Sequence, residues 1–520
     1  MRGTALPNLL FECFCEEMPA RMQQPAAEQL ATKLTAALKE ARLGHGAVMS
    51  YVSPRHLAVR VDGLPEQQPD QTIERKGPKT SAPSQAIDGF CKSVGLMVDQ
   101  LEIRRLGKDD CYFAIKEEKG QPTADAVKGI LEGILTDFHW PKSMRWGEHQ
   151  IQWVRPLQNL LCVLGDAVVP VRFGHLIANN TTYGHRFLAP EAITIANADE
   201  YVSKLEQACV MVERKTRRKQ IETLLDETAG EASLMVVRDE ALLDEVTGLV
   251  EWPQVLLGEF ERDYLKLPPE VLLSEMREHQ KYFGLRKSDG SVSNHFLVTA
   301  NLPTADGGAA IVHGNGRVLR ARLADGEFYW NSDRAVKLDG WAKKLDGLIF
   351  HAKIGSVKDK TDRMHRLAPL LAVFVPHAGL SDCARAAQLA KVDLVTGMVG
   401  EFPELQGIMG RYYAKEQREN ESVAHAIAEH YSPLGASDDV PHAPVSVVTA
   451  LCDKLDSLVG LFAIGEKPTG SKDPFALRRA ALGVIRIVLH NELRMPLHLA
   501  IEKTLRFIRR SSSRNRARRR

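Results

Sequence analysis

The pattern of apolar and polar positions divides the chain into two stretches of different character. Up to about residue 335, short apolar runs of strand length interleave with helical spacings. Residues 8–13 and 57–61 read as strands. Between them Leu30, Leu34 and Leu38 recur at helical spacing within 26–43, directly after Pro25. Residues 72–84, with Lys76, Gly77, Pro78 and Lys79, show no period and read as a polar loop. Residues 158–164 and 168–173 read as strands paired about Gly165 and Asp166. A charge-rich helix follows at 213–227, then a segment opening Leu242, Leu243, Asp244, Glu245, then a strand at 295–300. Past about 335 the spacing turns mainly helical, over 341–374, 382–399, 421–429, 447–462 and 475–489. In the fourth of these Leu451, Leu455, Leu458 and Phe462 mark one helix face. The pattern predicts a multidomain α+β protein. A mixed α/β body spans 1–335, an all-helical domain 336–505, and a basic, disordered tail 506–520. No internal repeat is visible.

Composition narrows this picture. At 520 residues the chain exceeds what one core usually organises, so two to four domains are expected. Hydrophobic residues at 44% and charged residues at 26% are ordinary for a soluble globular protein. No apolar run approaches the roughly 20 residues of a membrane span. The start of the chain lacks the basic, apolar, small-residue order of a signal peptide, so a cytoplasmic location is expected. The eight cysteines are scattered without a CxxC pair, which argues against a zinc ribbon and against a disulfide framework. The net charge of +2 conceals an asymmetry. The last fifteen residues hold eight Arg and no acid, leaving the rest of the chain at −6. Contact between the folded body and nucleic acid must therefore come from local patches.

Several stretches suggest chemistry. Residues 465–472 look like a phosphate-cradling loop, but Ser471 and Lys472 stand in reversed order and no buried strand precedes them. The simpler reading has Asp473 capping a helix with Pro474 in its first position, which presents Arg478 and Arg479 beside Lys472. Gly314, Gly316 and Arg320 fit a loose class II synthetase motif three, but no Arg-containing motif two precedes them. Asp393, His430, Asp453 and Asp456 are residue types found in His-Asp phosphohydrolase metal sites. The central pair, however, reads Val392-Asp393, so an imidazole is missing. Lys142, Arg145, Trp146, Arg155, His185, Arg186, Lys281, Tyr282 and Phe283 mix cations with flat rings, as RNA contact requires. Spacing alone takes the reading no further than a large soluble α+β protein with a helical domain.

The residues themselves resemble a known family. Residues 9–20 (LLFECFCEEMPA), 53–59 (SPRHLAV), 141–147 (PKSMRWG), 154–156 (VRP), 184–187 (GHRF), 243–253 (LDEVTGLVEWP) and 279–283 (HQKYF) are similar, in order, to segments of the bacterial glycyl-tRNA synthetase beta subunit. So are 401–407 (EFPELQG), 453–456 (DKLD) and 470–479 (GSKDPFALRR) in the helical part. Each motif is weak alone; ten in order are specific.

The resemblance implies a subunit of an α2β2 assembly that joins glycine to its tRNA with ATP and Mg2+ as co-substrate. Bond-making then belongs to the alpha subunit. The beta chain carries no catalytic residue, metal or cofactor of its own and instead holds tRNA(Gly), the alpha subunit and a second beta chain. Its helical domain is expected to be of His-Asp type with degraded ligands at Asp393, His430 and Asp453. Arg145, Arg155, Arg186, Lys472, Arg478 and Arg479 are the candidate RNA contacts. The alternatives are a metal-dependent phosphohydrolase using Asp393, His430 and Asp453, or a free-standing RNA-binding scaffold.

The sequence departs from the family at Gly316, where Glu is usual, and at Gly326, where Ala is usual. The family also continues into an anticodon-binding helical domain, whereas here apolar periodicity stops near Ile508 and an Arg/Ser run follows. A frameshift or a truncated gene model is the expectation, and a natural basic tail gripping RNA backbone the alternative. Resequencing the locus separates them: an alternative frame encoding a Leu-rich helical domain supports the first, and a clean stop sinks it.

Overall fold

The computed structural model describes residues 6–107, 109–470 and 472–518, with side chains described as far as Ser511. The chain forms two compact units. One comprises Met1–Leu257 and Leu297–Ile311, the other Gly258–Phe296 and Val312–Arg520. The architecture is mixed α/β with several small sheets.

The first unit is organised by an antiparallel five-stranded sheet, ordered Val48–Val52, His56–Val61, Leu9–Cys15, Leu157–Leu164, Ala167–Val168. Leu9–Cys15 is its central strand, with Phe11 opposite Val59 on one side and Cys162 on the other. Its residues are buried on both faces, which explains a nearly continuous apolar run where a half-exposed strand would alternate. Leu9, Phe11, Cys13 and Cys15 join the core formed with helices Ala20–Glu40 and Thr123–Thr136, while Leu10 joins the opposite core with Tyr201 and Leu205.

Several expectations need correction here. The first helix begins at Ala20 and carries Pro25 within it, because Met22, Gln23, Ala26 and Ala27 already lie on its buried face. Gln23 fastens this turn by donating to the carbonyls of Met18 at 2.9 Å and Gly248 at 2.7 Å. Residues 72–84 are largely a strand, Gln71–Lys79, paired with Asp109–Glu118 in a separate three-stranded sheet. The strand is mostly exposed, so no apolar alternation betrays it, and its register breaks between Lys76 and Lys79 around Pro78. Gly77 is needed there, since a Cβ would lie 2.5 Å from the Phe90 ring. Residues 168–173 are not one strand: Ala167–Val168 closes the hairpin at Gly165, and Arg172–Phe173 pairs with Leu176–Ile177.

The second unit is mostly helical. Its longest helix, Ala309–Arg334, begins in the other unit's last residues and contains Gly314, Gly316 and Gly326. The stretch expected to be helical over 341–374 is interrupted by strands Ile349–His351 and Gly355–Ser356 before helix Val357–Ala372 begins. That helix starts at a reciprocal cap between Ser356 and Asp359. Helices Leu380–Leu389, Ile408–Glu416, Glu421–Glu429, Pro444–Ala463 and Leu477–His490 complete the bundle. A last helix, Leu497–Arg518, carries the Arg-rich residues from 506 onward. Lys108, Ser471, Arg519 and Arg520 lie outside the described residues.

Candidate nucleic-acid interface and buried charge networks

The cationic candidates fall into two groups, one per unit. In the first unit Arg145 is exposed on the loop beside the Met144–Trp153 bridge. Arg155 is half-buried and donates to the Val154 carbonyl at 2.8 Å. Arg186 is paired with Glu16 and lies 3.4 Å from Glu17. In the second unit Lys472, Arg478 and Arg479 are all exposed at the start of helix Leu477–His490. Asp473 does cap this helix, accepting the N–H groups of Leu477 at 2.8 Å and Arg478 at 2.9 Å. Pro474 is not its first residue, however. The left-handed Ala476 precedes the helix and sets its start at Leu477. The stretch 465–472 follows the end of helix Pro444–Ala463, not a strand, so it lacks the setting of a phosphate loop. Gly314–Arg320 lies within a continuous helix, with Arg320 paired to Glu261.

Three of the four acid and imidazole candidates in the helical unit share one buried charge network. Lys360 and Lys391 each place Nζ 3.1 Å from Asp453 Oδ1, and Lys391 also sits 3.6 Å over the Tyr431 ring. Lys454 donates to the carbonyls of Tyr431 and Ser432, each at 2.9 Å. Burial would raise the Asp453 carboxyl, but Lys360, Lys391 and their neighbours outweigh it and hold the group well below the carboxylate range. Burial lowers the Lys391 and Lys454 ammonium groups to about 8. Burial, with Lys391 beside it, pushes His430 far below its usual value, so the ring is neutral. Its Nδ1 donates to the Ile427 carbonyl at 2.7 Å, and among the described residues Nε2 has no hydrogen-bond partner.

Asp393 has a different task. It accepts N–H groups from Gly407 and from Gly410 at 3.0 Å, closing the first turn of helix Ile408–Glu416. Burial nevertheless raises its carboxyl to about 6. Asp456, fully buried, takes a two-pronged grip from Arg363 at 2.7 and 2.9 Å.

This arrangement does not suit a divalent ion. Lys360 and Lys391 stand 3.1 Å from the acid a metal would need, and the fully buried Val392 offers no ligand atom. Among the described residues no group of three or more His, Cys, Asp or Glu is placed to hold a metal. The phosphohydrolase alternative therefore has no support in the site. The eight cysteines are free, six of them buried. No helix among the described residues is long and apolar enough to cross a membrane.

A second buried network went unread in the sequence. Glu12, fully buried on the central strand, accepts from His56 Nδ1 at 3.0 Å, Thr182 Oγ1 at 2.5 Å and the Tyr201 hydroxyl. Ser53 donates to Glu251 at 2.8 Å, and His56 Nε2 lies 3.8 Å from the same acid. Arg217, also fully buried, donates to the carbonyls of Thr247 at 2.9 Å, Val52 at 3.0 Å and Met211. The signal available was polar residues inside otherwise apolar strands, notably Glu12 within LLFECFC.

Comparison with known proteins agrees with the motif order. The family model described as "Glycyl-tRNA synthetase beta subunit" matches residues 9–518. The glycine–tRNA ligase beta subunit of Paracoccus denitrificans is 48% identical over 501 residues, spanning 95% of this chain and 73% of that one. The corresponding subunit of Ruegeria sp. is 46% identical over 502 residues, with the same two coverages. That of Rhodospirillum centenum is 43% identical over 525 residues, again with 95% and 73% covered. A match across nearly all of the described residues, through both units, places this chain in the glycyl-tRNA synthetase beta subunit family.

Proposed function

We propose that this chain holds tRNA(Gly) and an alpha subunit in an α2β2 glycine–tRNA ligase, and that the alpha subunit makes the bonds. The family match over residues 9–518 carries this reading. Glycine activation consumes ATP with Mg2+ at the partner's site, and this chain binds no cofactor of its own. Orienting the acceptor end against that site aids the reaction by turning a two-body encounter into a positioned one. Arg145, Arg155, Arg186, Lys472, Arg478 and Arg479 contact the RNA backbone. The helical part, 336–505, is a His-Asp-type fold in which lysines stand where a metal would be. The body 1–335 precedes it, the basic segment 506–520 follows it, and the assembly works in the cytoplasm.

The test is reconstitution with a glycyl-tRNA synthetase alpha subunit. Glycine is expected to be transferred to tRNA(Gly) by the mixture, and not by this chain alone. Glycine-dependent ATP–pyrophosphate exchange by the isolated chain would refute the division of labour.

A further inference from the structure

In the first unit a cavity of about 240 Å³ opens beside the central sheet, lined by Phe14, Arg55, Gln158, Tyr183, Gly184 and Arg186, among others. Its unusual member is Arg55, which is 8% exposed. Its backbone is fixed: the N–H donates to Ser53 Oγ at 3.3 Å, and the carbonyl accepts from Cys15 at 2.9 Å. Its guanidinium lies over the Phe14 ring, 4.5 Å from the centroid, and its Nε has no hydrogen-bond partner among the described residues. Among the described residues no carboxylate pairs with it. The acids near the strand end are already engaged. Glu16 holds Arg186 and takes a 2.6 Å hydrogen bond from Gln158, and Glu12 faces His56, Thr182 and Tyr201.

A buried cation without a counter-charge is costly, and one ring face offsets only part of that cost. Such a group is retained where a ligand supplies the missing anion. The walls add a second requirement. Tyr183 stacks on Phe14, with centroids 5.2 Å apart and planes 29° apart, so a second flat ring lines the cavity. The volume falls below the range of about 300–1,000 Å³ usual for whole drug-sized ligands, which suits the phosphate and one ring of a nucleotide whose remainder lies at the mouth.

We propose that this cavity takes a single unstacked nucleotide, its phosphate on Arg55 and its base or sugar against Tyr183. This deepens, and rests on, the reading of the chain as a tRNA-holding subunit. RNA-binding proteins commonly read splayed-out nucleotides by stacking beside a cation.

Isothermal titration of the full chain with 5′-AMP, adenosine and inorganic phosphate tests the site, with tRNA(Gly) titrated on the same samples. 5′-AMP is expected to bind at least tenfold tighter than adenosine or phosphate, and Arg55→Gln is expected to weaken it at least tenfold. Circular dichroism verifies the fold of each variant. If Arg55→Gln does not fold, Tyr183→Leu, at a half-buried wall, is expected to weaken 5′-AMP severalfold. No 5′-AMP binding by the wild type overturns the site. So does equal binding of phosphate alone, or unchanged 5′-AMP affinity in a folded variant. If tRNA binds while 5′-AMP does not, the site falls and the tRNA reading stands. If 5′-AMP binds in an Arg55-dependent way while tRNA does not, the site stands and that reading falls.

Discussion

Glu275 offers a quantitative check on the helical unit. It is fully buried, and among the described residues neither carboxyl oxygen has a hydrogen-bond partner. Burial raises its pKa from 4.5 to about 8. Arg322 opposes the rise, and Asp325, Glu401 and Glu404 add to it. The folded state therefore keeps a proton across a window in which the unfolded chain has lost it. Below pH 4.5 both states are protonated and stability does not depend on this group. Between 4.5 and 8 stability falls as pH rises, and above 8 the full penalty is present. At about 1.4 kcal/mol per pH unit the gap sets a ceiling of about 5 kcal/mol. Rearrangement around the buried carboxylate reduces this to about 2 kcal/mol, since effective screening in proteins exceeds that of a dry interior. Glu275→Gln removes the titration while keeping the shape. Urea unfolding at pH 5.0, 6.5 and 8.0 should show the variant gaining about 1 kcal/mol on the wild type between the lowest and highest pH. With two units present, hydrogen exchange of peptides spanning 269–280 and 315–330 assigns the change to this region. A difference that stays flat with pH would refute the argument.

Three further outcomes are expected. Gly314→Ala and Gly316→Ala sit inside a helix, with nothing within 4 Å of a new Cβ at the first and only the Glu259 carbonyl at 3.7 Å at the second. Each should stabilise by about 0.5–1 kcal/mol in urea unfolding, and a loss at either would contradict the packing described. Lys391→Met leaves Asp453 with Lys360 alone at 3.1 Å, so a destabilisation of about 2–4 kcal/mol is expected in the same assay; an unchanged midpoint would show the lysine to be dispensable. Reversing Lys472, Arg478 and Arg479 together to Glu should weaken tRNA binding at least tenfold in filter binding and flatten its salt dependence, whereas an unaltered salt slope would remove these residues from the interface.

How much was legible in the chain differs from residue to residue. The central strand announces itself as a short continuous apolar run, and helix Pro444–Ala463 through helical spacing, although of the predicted face only Leu451 and Leu455 are buried, Leu458 is half-buried and Phe462 is exposed. The strand Gln71–Lys79 does not, because it is solvated on both faces and owes its conformation to the ladder with Asp109–Glu118. Helix Ala309–Arg334 was likewise hidden by its glycines, which lower local helix propensity although the tertiary setting still carries the helix through them. Among site residues, motif order pointed to the family, and exposure of Lys472, Arg478 and Arg479 follows from their charge.

The sequence by itself determined the family, the mixed α/β character and the cap at Asp473. These depend on residue identity and short-range spacing. Only the tertiary structure decided what the buried charges do. Lys360 and Asp453 stand 93 positions apart, and Glu12 meets Tyr201 across 189, so no local period could signal either pairing. The same holds for Arg55, whose missing counter-charge is a property of everything packed around it and is invisible in its neighbours along the chain.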